Sequence, residues 1–95
     1  QLKTKAHFKQ GYLNGVKLQW NSQGQILKQH RYDKGKFEGL QKNWYENGQI
    51  MRSCFYQNGL RNGPCKTWST NGRLLENQEF KLGQCQKGCS ILQSP

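Results

Sequence analysis

Apolar and glycine positions recur along this chain every 24 residues. Gly11, Gly35, Gly59 and Gly83 form one column, Gly15, Gly39 and Gly63 a second, and Gly24, Gly48 and Gly72 a third. Phe8, Tyr32, Tyr56 and Phe80 share a position, as do Trp20, Trp44 and Trp68, and Ile26, Ile50 and Leu74. A fixed period of this size marks a repeat array, in which each unit is one supersecondary element that buries its face only against its neighbours. The units run 11–34, 35–58 and 59–82, with a partial unit at 1–10 and a degenerate cap at 83–95. In the cap Leu92 stands at the Trp position, Lys87 replaces the spacing glycine, and Gly88 follows it.

Within each unit a Gly-x-x-x-Gly turn leads into a short run ending in Trp, then a polar stretch with a glycine, then a second run ending in an aromatic residue. That plan predicts a β-hairpin. Asn47-Gly48 and Asn71-Gly72 are strong turn dipeptides because both residues tolerate positive φ, and Gln23-Gly24 takes the same place in the first unit. The flanking runs are too short and polar for helices but alternate well enough for strands. Val16, Leu18 and Trp20 share parity, as do Ile26 and Tyr32, Ile50 and Tyr56, and Leu74 and Phe80. Each hairpin therefore presents one apolar row, and stacked hairpins align the rows into ladders of Trp20, Trp44 and Trp68 and of Tyr32, Tyr56 and Phe80. The expected class is all-β.

Composition narrows the architecture. The 95 residues are only 33% hydrophobic, so a thin sheet held by aromatic ladders fits better than a two-layer sandwich with a thick core. Eleven aromatic residues, mostly on the columns, argue against disorder. No apolar run approaches the length of a membrane-spanning helix.

Fifteen basic residues against five acidic give a formal charge of +10. Such an excess suits a polyanionic partner, or simply keeps an open sheet soluble and its edges unpaired. The charges are scattered rather than blocked. Lys28 and Arg52 occupy one repeat position and Lys42 and Lys66 another, so stacked hairpins would carry short basic stripes, the first ending at Glu76. Stripes of this kind could meet acidic head groups or an acidic protein face.

Catalytic chemistry finds no footing. Asp33 is the single Asp, nothing in its spacing to His7 or His30 suggests a triad, and the glycines serve turns rather than a phosphate loop. Of Cys54, Cys65, Cys85 and Cys89, only the last two are closely spaced, which does not make a zinc site. No metal and no cofactor are expected. Four cysteines in a small polar chain fit one or two disulfides and lean towards a secreted or cell-surface setting, with the compartment otherwise open. Cys54 and Cys65 flank the turn near Gly59 and could face each other across an antiparallel pair, though a one-residue slip would separate them.

The columns together, clearest in GKFEGLQKNWYENGQIMRSCFYQNG at 35–59, resemble the variant MORN (membrane occupation and recognition nexus) repeat. The resemblance implies an elongated, twisted, single antiparallel sheet of hairpins, a setting that includes many bacterial proteins, and a non-catalytic role. It implies a scaffold or protein-binding module, or one that binds acidic phospholipid. A weaker resemblance, to cell-wall and choline-binding repeats, rests on the Trp44-Tyr45 doublet and adds carbohydrate binding as a third function. A protein partner is the first expectation, then an anionic membrane surface through Lys28, Lys42, Arg52 and Lys66. The half-units at both ends suggest edge-to-edge self-association. Nucleic acid is disfavoured, because the strict period of the tryptophans suits a structural ladder better than a stacking platform.

Overall fold

A computed structural model describes residues 3–89. Eleven strands follow in order: β1 (Lys3–Lys5), β2 (Phe8–Lys9), β3 (Tyr12–Leu13), β4 (Gly15–Trp20), β5 (Ile26–Asp33), β6 (Lys36–Phe37), β7 (Gly39–Trp44), β8 (Ile50–Gln57), β9 (Leu60–Trp68), β10 (Leu74–Lys81) and β11 (Gln84–Lys87). All pairings are antiparallel. The main sheet runs β1-β4-β5-β7-β8-β9-β10-β11, with β6 extending the pairing along β5, while β2 and β3 form a separate small ladder. The sheet does not close. Its extents of 42 × 32 × 20 Å suit one twisted layer rather than a sandwich.

The period in the sequence is also a period in register. Trp20 opposes Ile26, Trp44 opposes Ile50 and Trp68 opposes Leu74. Between hairpins, Thr4 opposes Gln19, Lys28 opposes Asn43 and Arg52 opposes Thr67, each pair 24 residues after the one before. β1 and β2 thus hold the places that β5 holds one unit later. The cap's Leu92 lies outside the described residues.

Two kinds of turn alternate along the chain. The tight two-residue turns are not at Asn47-Gly48 but at Gln10-Gly11, Lys34-Gly35, Asn58-Gly59 and Leu82-Gly83. There both residues take positive φ, as in Asn58 (52°) and Gly59 (82°), the geometry whose twist matches paired strands. In the wider loops only the glycine is left-handed. Gly48 N donates to Tyr45 O at 3.0 Å and Tyr45 N to Gln49 O at 2.9 Å. Asn47 keeps negative φ and acts through its side chain. Its Oδ1 accepts from Gln49 N at 2.9 Å while its Nδ2 donates to Thr70 O of the next loop at 2.8 Å. The dipeptide does mark a turn, but Asn47 contributes through its side chain rather than through positive φ.

Successive tight turns are bonded to one another. Gly35 N donates to Leu13 O (2.9 Å), Gly59 N to Phe37 O (2.9 Å) and Gly83 N to Arg61 O (2.7 Å). Acceptors on the preceding turn reinforce this edge: Glu38 Oε1 takes Asn58 N at 2.9 Å, and Asn62 Oδ1 takes Leu82 N at 3.0 Å. The backbone donors that sharp turning would leave idle are thereby satisfied within the array.

A bulge in every hairpin changes what the alternation means. Beside each tryptophan the register skips one residue: Leu27 between Ile26 and Lys28, Met51 between Ile50 and Arg52, Leu75 between Leu74 and Glu76. An extra residue reverses the parity of everything after it. Ile26 and Tyr32 therefore project to opposite sides despite their even spacing, and the single apolar row per hairpin becomes two rows on opposite faces. The bulged residues form a column of their own, Leu27, Met51 and Leu75, whose role the sequence pattern did not reveal.

Candidate binding surfaces

Register divides the side chains into two faces, because directly opposed residues project to the same side. One is organised by cysteine chemistry. Cys54 and Cys65 oppose each other across β8 and β9, are joined by a disulfide, and are the only buried apolar residues among those described, at 2% and 1% exposed. Arg52 lies over them, its Nε 3.3 Å from Cys54 Sγ and one terminal nitrogen 3.9 Å from Cys65 Sγ. One unit earlier, His30 and Gln41 hold the places of the two cysteines. Gln41 is buried, and its carboxamide stands in for a peptide group in the irregular stretch between β6 and β7, which both pair with β5, where Glu38 N still donates to Arg31 O at 2.9 Å. Arg31 N donates to Gln41 Oε1 at 2.7 Å, and Gln41 Nε2 donates to Arg31 O at 3.0 Å and Gly39 O at 3.2 Å.

On this disulfide face, Phe37 packs against His30, Tyr32 and Tyr56 with ring centroids 5.1, 5.0 and 5.0 Å apart, and Arg61 sits 5.0 Å above the Phe80 ring. His30 Nε2 meets Asn43 Oδ1 at 2.6 Å. Burial lowers the His30 pKa. The Asn43 bond pushes the other way, and the charges of Lys28 and Lys17 add to the lowering. Burial likewise raises the Tyr32 phenol. These groups are engaged with one another, and the face reads as the packed side of the layer.

The opposite side is the tryptophan face. Across it runs one lateral row: Trp20 and Ile26, Trp44 and Ile50, Trp68 and Leu74, each an opposed pair. The three tryptophans are half-buried, and the aromatic ring contacts of the described residues do not include them. They are spaced two strands apart, about 9.6 Å, with aliphatic side chains between, so they do not form a stacked ladder. Leu74 and Leu75 are 48% and 57% exposed, and on the next-but-one row the opposed pair Leu40 and Phe55 stands 38% and 42% exposed.

The four basic residues of the sequence stripes part company here. Lys28 and Arg52 lie in the row Gln19, Lys28, Asn43, Arg52, Thr67, Glu76 on the disulfide face. Lys42 and Lys66 lie in the row Lys5, Leu18, Gln29, Lys42, Ser53, Lys66, Asn77 on the tryptophan face, immediately beside the Trp row. The bulge at Leu27 and Met51 is the reason: it turns Lys28 and Arg52 away from the isoleucines that precede them. Lys66 and Lys28 are exposed, Lys42 and Arg52 half-buried.

Cys85 and Cys89 form a second disulfide at the β11 edge. Shallow clefts lie at the margins. The largest of three described has a volume of 470 Å³, against Tyr12, Asp33, Lys34, Lys36 and Asn58 beside the tight turns. Another of 420 Å³ is lined by Lys3, Trp20 and the loop from Asn21 to Gly24. Among the described residues no group of three or more His, Cys, Asp or Glu side chains is placed to hold a metal ion. No described helix is long and apolar enough to cross a membrane.

No curated protein and no solved structure matches the chain. Residues 37–58, which carry the second strand pair, its Trp44 loop and the β8 aromatic Tyr56, match a known repeat family. The family is the MORN repeat variant, and the hairpin geometry and register of this segment agree with the match.

Proposed function

We propose that this repeat array is a non-catalytic scaffold that binds a protein partner through its tryptophan face. The observation that carries the reading is the contrast between the two sides of one layer. Within the main sheet the disulfide face spends its aromatic and polar groups on internal contacts, whereas the tryptophan face keeps an apolar row with Leu74 exposed and, across the Lys42 row, the exposed pair Leu40 and Phe55. Exposed apolar side chains set among polar ones are what protein interfaces use. The family's generally non-catalytic character supports the same reading.

The test is site-specific photo-crosslinking with an aryl-ketone side chain placed at Phe55 on one face or at Lys28 on the other, in extract of the source organism. A discrete protein adduct from Phe55 and not from Lys28 supports the proposal. Equal adducts from both, or none from Phe55, would sink it.

A second reading, contact with an anionic membrane surface, draws on the adjacency of Lys42 to Trp44 and of Lys66 to Trp68. Interfacial tryptophan beside lysine is the composition of surface-bound proteins. Steep loss of vesicle binding with added salt would mark it.

A further inference from the structure

We infer that the tryptophan face takes an acidic, amphipathic protein segment laid across the strands, its apolar side chains seated between successive tryptophans and its carboxylates on the Lys42–Lys66 row. This deepens the protein-binding reading above and rests on it.

Three features of the face select that occupant. The first is charge. The row beside the tryptophans carries Lys5, Lys42 and Lys66 together with Leu18, Gln29, Ser53 and Asn77, and no carboxylate. Lys3 directly opposes Trp20 at the row's end. A second copy of a chain of charge +10 would bring like rows together, so charge disfavours a face-to-face homodimer.

Spacing is the second. Trp20, Trp44 and Trp68 recur every two strands, about 9.6 Å. One heptad of α-helix advances about 10.5 Å, and one three-residue turn of polyproline II about 9.3 Å, each bringing a side chain back to the same side. Either conformation can lay one apolar side chain per repeat unit over Ile26, Ile50 or Leu74, between successive tryptophans. The third is equivalence. Because register is translated unchanged from unit to unit, the gaps are near-copies, and a segment with periodic anchors engages several at once.

The test uses the whole chain and a synthetic probe of about three heptads with leucine at the core positions and glutamate around them. A second peptide has lysine for each glutamate, and a third is the scrambled glutamate sequence. Titration is followed by tryptophan fluorescence and calorimetry. Saturable binding of the glutamate peptide alone is expected. Binding should fall about ten-fold or more in Lys42→Glu/Lys66→Glu, and within about two-fold of wild type in Lys28→Glu/Arg52→Glu. Circular dichroism of both variants verifies that the sheet is intact.

Absence of saturable binding, equal binding of the scramble, or equal loss in both variants overturns the inference. So does binding of phosphatidylserine vesicles, but not of peptide, that depends on Lys42 and Lys66, which would assign the face to a membrane. A partner captured at Phe55 whose contact segment is not acidic overturns this inference while leaving the protein-binding reading standing.

Discussion

Replacing Gln41 with alanine tests the claim that one buried carboxamide substitutes for missing strand pairing. The side chain makes three hydrogen bonds, to Arg31 N, Arg31 O and Gly39 O, at 2.7, 3.0 and 3.2 Å. At about 0.5–1.5 kcal/mol net each, their loss amounts to about 2–4 kcal/mol. The contacts are only partly buried, so water can re-solvate some of the freed groups, which brings the expectation to about 2 kcal/mol. For a domain of this length each kilocalorie moves the melting midpoint by about 4–8 °C, so Gln41→Ala should melt about 8–16 °C below wild type. Gln41→Glu should do no better at neutral pH, because a carboxylate keeps the Arg31 N–H but faces two carbonyl oxygens with nothing to donate. Thermal melts by circular dichroism read the midpoint, and amide exchange at Arg31 reads the site. A shift below about 2 °C with Arg31 exchange unchanged would refute the substitution argument.

Reducing or removing the Cys54–Cys65 bond, which closes a loop across 11 positions, should cost about 2–3 kcal/mol, read as the difference in melting of Cys54→Ala/Cys65→Ala and wild type. Leu82 sits at φ 48° where the previous unit has Asn58, and Leu82→Asn should gain about 0.5–1 kcal/mol, measured by urea unfolding. His30 has a lowered folded pKa, so below about pH 6.5 the unfolded chain takes up the proton first. Stability should be level near neutrality and decline as pH falls from about 6.5 through the folded value. His30→Gln should flatten that decline, and a wild-type slope persisting in the variant would assign it elsewhere.

Much of the fold was legible because the repeat writes it several times over. The columns of glycine, Trp and Tyr or Phe mark hairpin units whose strands and antiparallel order appear as read. Three features were not legible, each for a physical reason. The bulge at Leu27, Met51 and Leu75 involves apolar residues of no distinctive type, so strict alternation across it hides the fact that the Lys28 and Arg52 stripe and the Lys42 and Lys66 stripe lie on opposite faces. The tight turns at Lys34-Gly35 and Leu82-Gly83 use first residues with little taste for positive φ, held there by turn-to-turn bonds that a sequence does not display. The role of Gln41 depends on the irregular stretch between the β6 and β7 pairings with β5, which no residue type announces. One signal was present: Gln41 and His30 stand one period before Cys65 and Cys54, marking a position where the array needs a cross-strand tie.

The bonds between successive tight turns make 24 residues the quantum by which such a protein can grow or shrink. Gly59 donates to Phe37 O, and Gly35 donates to Leu13 O. Excise residues 35–58 as a block, and Gly59 falls into the sequence place of Gly35, with the carbonyl of Leu13 waiting as its acceptor. Duplicate the same block and every new donor finds an acceptor of the same kind. Add or drop a single residue, and the glycine amide, the bulge and the tryptophan row all lose alignment with the neighbouring unit. Lineages of such arrays can therefore change length by whole units with little penalty, while shorter insertions within the strands are selected against.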